Sequence, residues 1–192
     1  MKPSPAQLSI QPLTPARLPD FLAFFDTDAF ADNPAWAFCY CQFLHMDHTR
    51  VVWKERSAAD NRAAACERIG AGGMEGYLAY ADGRVVGWCN AAPRTKLASL
   101  DDEPDPLADT IGVIGCFVVA KPYRRQGISR ALLQAACDGL QAQGMLIADA
   151  YPRRDAQSDA ELHCGALEMF MAAGFVVRHE DDDGNVHVRK QL

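Results

Sequence analysis

From Ile111 to Ala120 the chain reads IGVIGCFVVA, ten residues without a charge or an amide side chain. Such a run, rich in β-branched residues, is the pattern of a strand buried on both faces. It is too short to cross a bilayer, which takes about 20 apolar residues. A helical pattern over Arg125 to Gln143, stopped by Gly144, follows it, and then a second apolar run from Met145 to Tyr151. A strand, a helix and a strand in that order require a crossover between parallel neighbours, right-handed because of strand twist. A mixed α/β sheet covered by helices, with one parallel crossover near its centre, is therefore expected.

The remaining elements are weaker but ordered. Ser9 to Leu13 predicts a short first strand, and Thr14-Pro15 an N-cap with Pro in the first helical turn. Leu18, Phe21, Leu22 and Phe25 keep helical spacing to about Asp28. Asn33 to His48 is aromatic without a clear period, and reads as a strand or a packed irregular segment. Ser57 with Asp60 predicts a capping box, and a helix to Ile69 closed by Gly70. Asp82-Gly83 between Tyr77–Ala81 and Arg84–Asn90 is a hairpin signal, and Asp183-Gly184 between Phe175–His179 and Val186–Arg189 is a second. Glu161 to Ala173 predicts a helix ending at Gly174. The order is β-α-α-β-β-β-α-β-α-β-β over one domain, residues 1–192, with no repeat or linker.

Composition narrows the function classes. The chain has 192 residues and a net charge of −6, which disfavours a nucleic-acid partner, since that needs a basic face. The N-terminal MKPSPAQLSIQPL has no apolar signal core, and no membrane partner is expected. The seven cysteines form an odd set without a secretion signal, which predicts reduced thiols and a cytoplasmic location.

Against that acidic balance, four of the ten residues from Lys121 to Arg130 are basic, in KPYRRQGISR. Cations at a helix N-terminus oppose the helix dipole. A bound anion reverses that penalty, because the first helical N–H groups lack partners and Gly127 allows close approach. Arg124, Arg125 and Arg130 add formal charge, and the set suits a pyrophosphate. A solvated basic turn that happens to hold a glycine is the alternative.

The stretch Arg124-Arg125-Gln126-Gly127-Ile128-Ser129 resembles the coenzyme A signature of the GNAT acetyltransferase superfamily, R/Q-x-x-G-x-G/A after the fourth strand, with Ser129 at the final small position. HCGALEMFMAAGF, residues 163 to 175, resembles the family's N-x-x-A-x-x-x-Y-x-x-x-G-F. Ala166, Gly174 and Phe175 match, His163 stands for Asn, and Phe170 stands for Tyr. The resemblance implies an α/β fold: a mixed, mostly antiparallel central sheet of about seven strands with a central parallel splay, flanked by about four helices. It implies acetyl-CoA as co-substrate, no metal, and direct ternary-complex transfer to the amine of a small molecule or a side chain, in a monomer or homodimer. It further implies that the backbone of Phe117, Val118 and Val119 binds the pantetheine arm, that the amides from Arg125 to Arg130 hold the pyrophosphate, and that His163 contacts the cofactor in place of Asn; an ordinary helix N-terminal residue is the other reading of His163.

The family's usual proton-transfer groups do not carry over. The fourth strand has no acid after Asp109, and Phe170 has no hydroxyl. Tyr151, at the end of the next strand, is the candidate acid, with packing on the core as its alternative. Asp102, in the acidic loop LDDEPDPLAD with Asp101, Glu103, Asp105 and Asp109, is the candidate base or attractor of a cationic amine, with a solvated charge run as its alternative. Cys39, Cys41, His45 and His48 have spacings unlike common zinc sites. Trp36, Trp53 and Trp88 are expected in the core or in the acceptor-pocket walls. Two rival functions remain open: a non-catalytic CoA-binding sensor, and a regulatory protein built on Cys39 and Cys41 through zinc or thiol chemistry.

Overall fold

The structure, a computed structural model, describes residues 8–101, 105–156, 158 and 161–192. In chain order the elements are β1 Leu8–Pro12, α1 Leu18–Thr27, α2 Ala58–Gly70, β2 Gly76–Ala81, β3 Arg84–Pro93, β4 Ile111–Val119, α3 Ile128–Ala142, β5 Ile147–Ala150, α4 Leu167–Ala172, β6 Val176–Glu180 and β7 Val186–Gln191. The strands form one sheet in the order β1-β2-β3-β4-β5-β7-β6. β4 and β5 are the parallel pair, and the other neighbours run antiparallel. No helix among the described residues is long and apolar enough to cross a membrane.

Period-2 alternation sorts the core onto two faces. Leu78, Trp88 and Val118 pack with Phe21, Phe24 and Phe25 of α1 and Ile69 of α2. Their neighbours Ala79, Cys89 and Phe117 point the other way, into a core with Leu132, Leu133 and Ala136 of α3 and Phe170 of α4. Trp88 is fully buried and meets Phe21 edge to face at 5.2 Å. The capping box of α2 is present, with the Asp60 N–H donating to Ser57 Oγ at 3.1 Å and the Ser57 N–H to Asp60 Oδ2 at 2.9 Å.

Three local expectations are corrected. Thr14 precedes a short 3-10 turn, Pro15–Arg17, and caps nothing with its side chain; Arg17 Nη1 donates to its hydroxyl at 3.4 Å. α3 starts at Ile128, not at Arg125, because Arg125 is left-handed (φ 61) and Gly127, also left-handed (φ 84), is the N-cap. The helix expected from Glu161 is a 3-10 turn, Glu161–Cys164, separated from α4 by Gly165 at φ 88. The last hairpin forms as expected, β6 pairing antiparallel with β7 across the loop 181–185. The Asp181 carboxylate accepts from the backbone N–H of Asp183 and of Asn185 at 3.0 and 2.8 Å, and so organises it. Residues 33–48 are turns, with 3-10 segments at Pro34–Trp36 and Phe43–His45.

β4 positions the site. It pairs with β3 as far as Gly87↔Val119, but with β5 only as far as Ile114↔Ala150. From Gly115 onward its β5-facing edge is therefore open. The β3–β4 register slips at the same place, with Asn90 opposite Cys116 and Ala91 opposite Ile114, leaving Gly115 as the extra residue of a bulge.

Candidate active site

The open edge of β4 leads into the turn before α3. The N–H groups of Ile128, Ser129 and Arg130 lie in the first helical turn, where no intrahelical acceptor exists. Gly127 exposes the backbone beside them: a Cβ there would meet nothing within 4 Å. Gln126 Nε2 donates to Pro122 O at 2.9 Å and closes the turn. A cavity of about 560 Å³ sits over this cradle, walled by Phe117, Val119, Arg124, Arg125 and Gly127 to Arg130. Arg124 is partly committed inside the protein. Its Nε donates to Val119 O at 2.9 Å, and its two Nη atoms reach the Asp32 carboxylate at 2.7 and 2.9 Å. That pair ties the cradle to the segment after α1 and, through the hydrogen bond first, holds the Asp32 carboxyl below its ordinary value.

A second cavity of about 340 Å³ adjoins the first through Phe117, Val119 and Arg124, and Val118 also lines it. A third, also about 340 Å³, adjoins the second through Trp36, Cys39, Cys116 and His163. Trp36 and His163 face each other across this junction, ring centroids 4.8 Å apart and edge to face. The third cavity is lined by aromatic rings, Leu44, Gly115 and four thiols, Cys39, Cys41, Cys116 and Cys164, with no carboxylate, lysine or arginine in its wall among the described residues.

The thiols differ electrostatically. Burial pushes Cys39 up to about 12 and Cys164 up to about 11. Cys116 is raised well above the ordinary value, first by its hydrogen bond to Cys41 and then by burial. Cys41 is the converse: Cys116 draws it down, against burial, and Trp88 and Asn90 add to that. Trp88 Nε1 and Asn90 Oδ1, both buried, have no hydrogen-bond partner. Tyr40 and Cys41 are both left-handed, at φ 42 and 51, a strained conformation for residues with a Cβ.

Of the residues singled out in the sequence, Phe117, Val118, Val119, Arg124, Arg125, Gly127, Ile128, Ser129 and Arg130 line the first two cavities, and His163 lines the second and third. Gln126 lies in the turn beneath. Tyr151 is not among the residues lining these three cavities. It stacks on His187 at 4.9 Å, accepts from Arg94 Nη1 at 3.3 Å, and lines another cavity of about 350 Å³. Asp102 lies outside the described residues. Asp105 pairs with Arg189 at 3.1 Å. Phe170 is fully buried against Phe117 and Phe175. Trp36 and Trp53 line the third cavity. Among the described residues, no group of three or more His, Cys, Asp or Glu side chains could hold a metal ion; His45 turns to Asn90 and His48 to Phe43 O. The thiol wall escaped the sequence reading because its members come from three distant segments, with CYC as the one local signal.

The profile of the acetyltransferase (GNAT) family matches residues 29–165. The chain belongs to the GNAT family. Its cradle and open β4 edge fall within the matched stretch. No curated protein matches the chain. Among solved structures, it resembles yncA from Salmonella typhimurium with its cofactor acetyl-CoA, at TM-score 0.58 and 15% identity, over 96% of this chain and 94% of that one. It also resembles the paiA N-acetyltransferase of Thermoplasma acidophilum in complex with coenzyme A, at TM-score 0.57 and 14% identity, over 97% and 99%. A GCN5-related N-acetyltransferase from Kribbella flavida gives TM-score 0.59 and 18% identity over 96% and 98%. At these identities the likeness is one of fold, and this GNAT protein has the family's mixed seven-stranded sheet and parallel β4–β5 pair.

Proposed function

We propose that this GNAT protein transfers the acetyl group of acetyl-CoA to the amine of a compact, apolar acceptor, by direct attack within a ternary complex. The observation that carries the reading is the run of adjoining cavities between two unlike compartments: a basic, amide-rich cradle at α3, and an aromatic and thiol-lined cavity with no carboxylate among the described residues, reached through the cavity that shares Trp36, Cys39, Cys116 and His163 with it. The pyrophosphate would occupy the cradle, where helix N–H groups and Arg125 and Arg130 oppose its charge. The pantetheine arm would pair with the open edge of β4 at Phe117 to Val119, with His163 alongside. The thioester would then reach the junction, and the acceptor would fill the third cavity.

The chemistry follows from that placement. Only a neutral amine attacks a carbonyl, and an alkylamine in water holds its proton to about pH 10. A wall with no carboxylate among the described residues takes the amine out of water and offers its cation no counter-charge there, so the amine's pKa falls. A β4 N–H near the open edge can stabilise the developing oxyanion. Phe170 has no proton to give the leaving thiolate, which is tolerable because a thiol of pKa about 8.5 leaves without strong acid help.

The test is a panel of amines, each incubated with acetyl-CoA and followed by release of CoA thiol. Arylamines and apolar primary amines should be turned over, and polyamines should not. Arg125→Glu should raise the acetyl-CoA Kd at least tenfold; an unchanged Kd removes the pyrophosphate assignment. Thermal stabilisation by acetyl-CoA without CoA release from any amine would point to the CoA-binding sensor instead.

A further inference from the structure

The 3-10 turn Glu161–Cys164 lies along the route from the cradle to the third cavity. Leu162 lines the first cavity, His163 the second and third, and Cys164 the third. Two features hold the turn there. Gly165 follows it at φ 88, a conformation that side chains resist, and a Cβ on Gly165 would lie 2.6 Å from Phe170 Cε2. Ala166 then bridges to Arg153 and pins the chain just past the turn. Phe170, where the family pattern has Tyr, is fully buried behind it. The residue that this arrangement brings to the junction is His163. Four side chains line both the second and third cavities: Trp36, Cys39, Cys116 and His163. The Trp36 indole has a proton to donate and no site to accept one. Burial pushes Cys39 up to about 12, and Cys116 is raised well above the ordinary value, first by its hydrogen bond to Cys41 and then by burial, so both are neutral thiols near neutral pH. An imidazole ordinarily exchanges its proton near pH 6.5 and is neutral or cationic, never anionic. It gives an ammonium no counter-charge, so the effect of the wall on the amine is kept. Trp36 meets the His163 ring edge to face, centroids 4.8 Å apart, and limits its swing.

We propose that His163 carries the proton of the transfer: its imidazole takes it from the attacking amine at the junction and hands it to the sulfur of CoA. The inference rests on the acetyl-transfer reading above and deepens it by giving His163 a chemical role beyond contact with the cofactor. The amine enters neutral, having left one proton in solvent. Its nitrogen bonds to the thioester carbon, and the carbonyl electron pair moves onto oxygen. The nitrogen, now cationic, gives a proton to His163, which becomes imidazolium. The oxygen's pair re-forms the carbonyl, the carbon–sulfur bond breaks, and CoA leaves as a thiolate. The imidazolium protonates that thiolate. One amine and one acetyl-CoA become one amide and one CoA thiol, and His163 is neutral again. Among the described residues, the other titratable groups lining its two cavities are Cys39 and Cys41 on the 33–48 segment, Cys116 on β4, Cys164 beside it, and Asp32 and Arg124, which pair with each other at 2.7 Å.

Two measurements test this. His163→Asn installs the residue of the family pattern, which can contact the cofactor but cannot carry a proton near neutral pH. With an amine identified by the panel, its single-turnover rate at saturating ligands should fall about 10²–10⁴-fold, the range of general acid–base catalysis. Its acetyl-CoA Kd should stay within about threefold. An unchanged rate, with or without a weaker Kd, leaves His163 as a cofactor contact only and overturns the proposal. The second measurement needs no variant. In the wild type, the single-turnover rate should rise with pH along a limb whose midpoint stays fixed across amines of different basicity, because the titrating group belongs to the protein. A midpoint that follows the basicity of the amine overturns the proposal. Should His163→Asn fail to fold, the series of midpoints decides. Absence of CoA release from every amine overturns the transfer reading itself.

Discussion

Gly115 is the residue on which the proposed acceptor cavity turns. It is the extra residue of the β4 bulge, it lines the cavity wall, and a Cβ there would lie 2.1 Å from Leu44 Cδ1. Leu44 can yield only into the cavity space or the packing behind it. Gly115→Val should therefore raise the acceptor KM at least tenfold while leaving the acetyl-CoA KM within about twofold, a split that steady-state kinetics resolve directly. Tyr151 supplies the contrast. Its ring stacks on His187 and its hydroxyl serves Arg94, so Tyr151→Phe should keep turnover within about twofold at saturating cofactor; a drop of tenfold or more would restore it as an acid. The basic cradle could be read from sequence because its chemistry is local: glycine, arginines and a helix start within a few residues. The thiol wall could not. Tyr40 and Cys41 take left-handed backbone without glycine or asparagine to signal it, and Cys116 sits inside a run that reads only as buried strand.

At the scale of elements, the β5–β7 pair fixes the far side of the splay. Asp149 on β5 lies directly opposite Arg189 on β7. Arg189 Nε and Nη2 donate to the Asp149 carboxylate oxygens, each at 2.7 Å, and His187 Nε2 lies 3.0 Å away. Burial pushes the Asp149 carboxyl up, but His187 and Arg189 outweigh it and hold it below the ordinary value. Arg189 also reaches Asp105, tying down the loop that feeds β4. Asp149→Asn removes the buried carboxylate and leaves the Arg189 guanidinium with Asp105 as a remaining charged partner. It should cost about 1.5–3 kcal/mol of stability, the range for hydrogen bonds to charged groups, visible in urea unfolding. The strands and helices were legible because each carries a full period of apolar residues. Their ends were not, since α3 is delayed by left-handed residues at 125 and 127, and the 161–173 segment is broken by Gly165.

For the whole molecule, acid stability has a definite sign. His45 is buried and neutral with a pKa of about 4, whereas in the unfolded chain it titrates near 6.5. Its contribution is complete above the unfolded value. As pH falls from about 6.5 to 4 the unfolded chain binds the proton first, and up to about 3 kcal/mol of stability is lost. The depressed Asp149 carboxyl adds a further loss below about pH 4, as the unfolded state protonates first there too. Urea midpoints across pH 4 to 7 should fall steadily with acidity, and a flat profile would show that His45 is not held neutral. The wall shared by the second and third cavities carries a consequence for the order of events. Trp36 and His163 belong to both compartments, and Asp32, four residues before Trp36, is anchored to the cradle by Arg124. A cofactor that settles this wall has already met the ordering entropy for the acceptor. By linkage, each ligand must then raise the affinity of the other by the same factor, so a non-reactive acceptor analogue should lower the Kd of CoA by the factor by which CoA lowers that of the analogue.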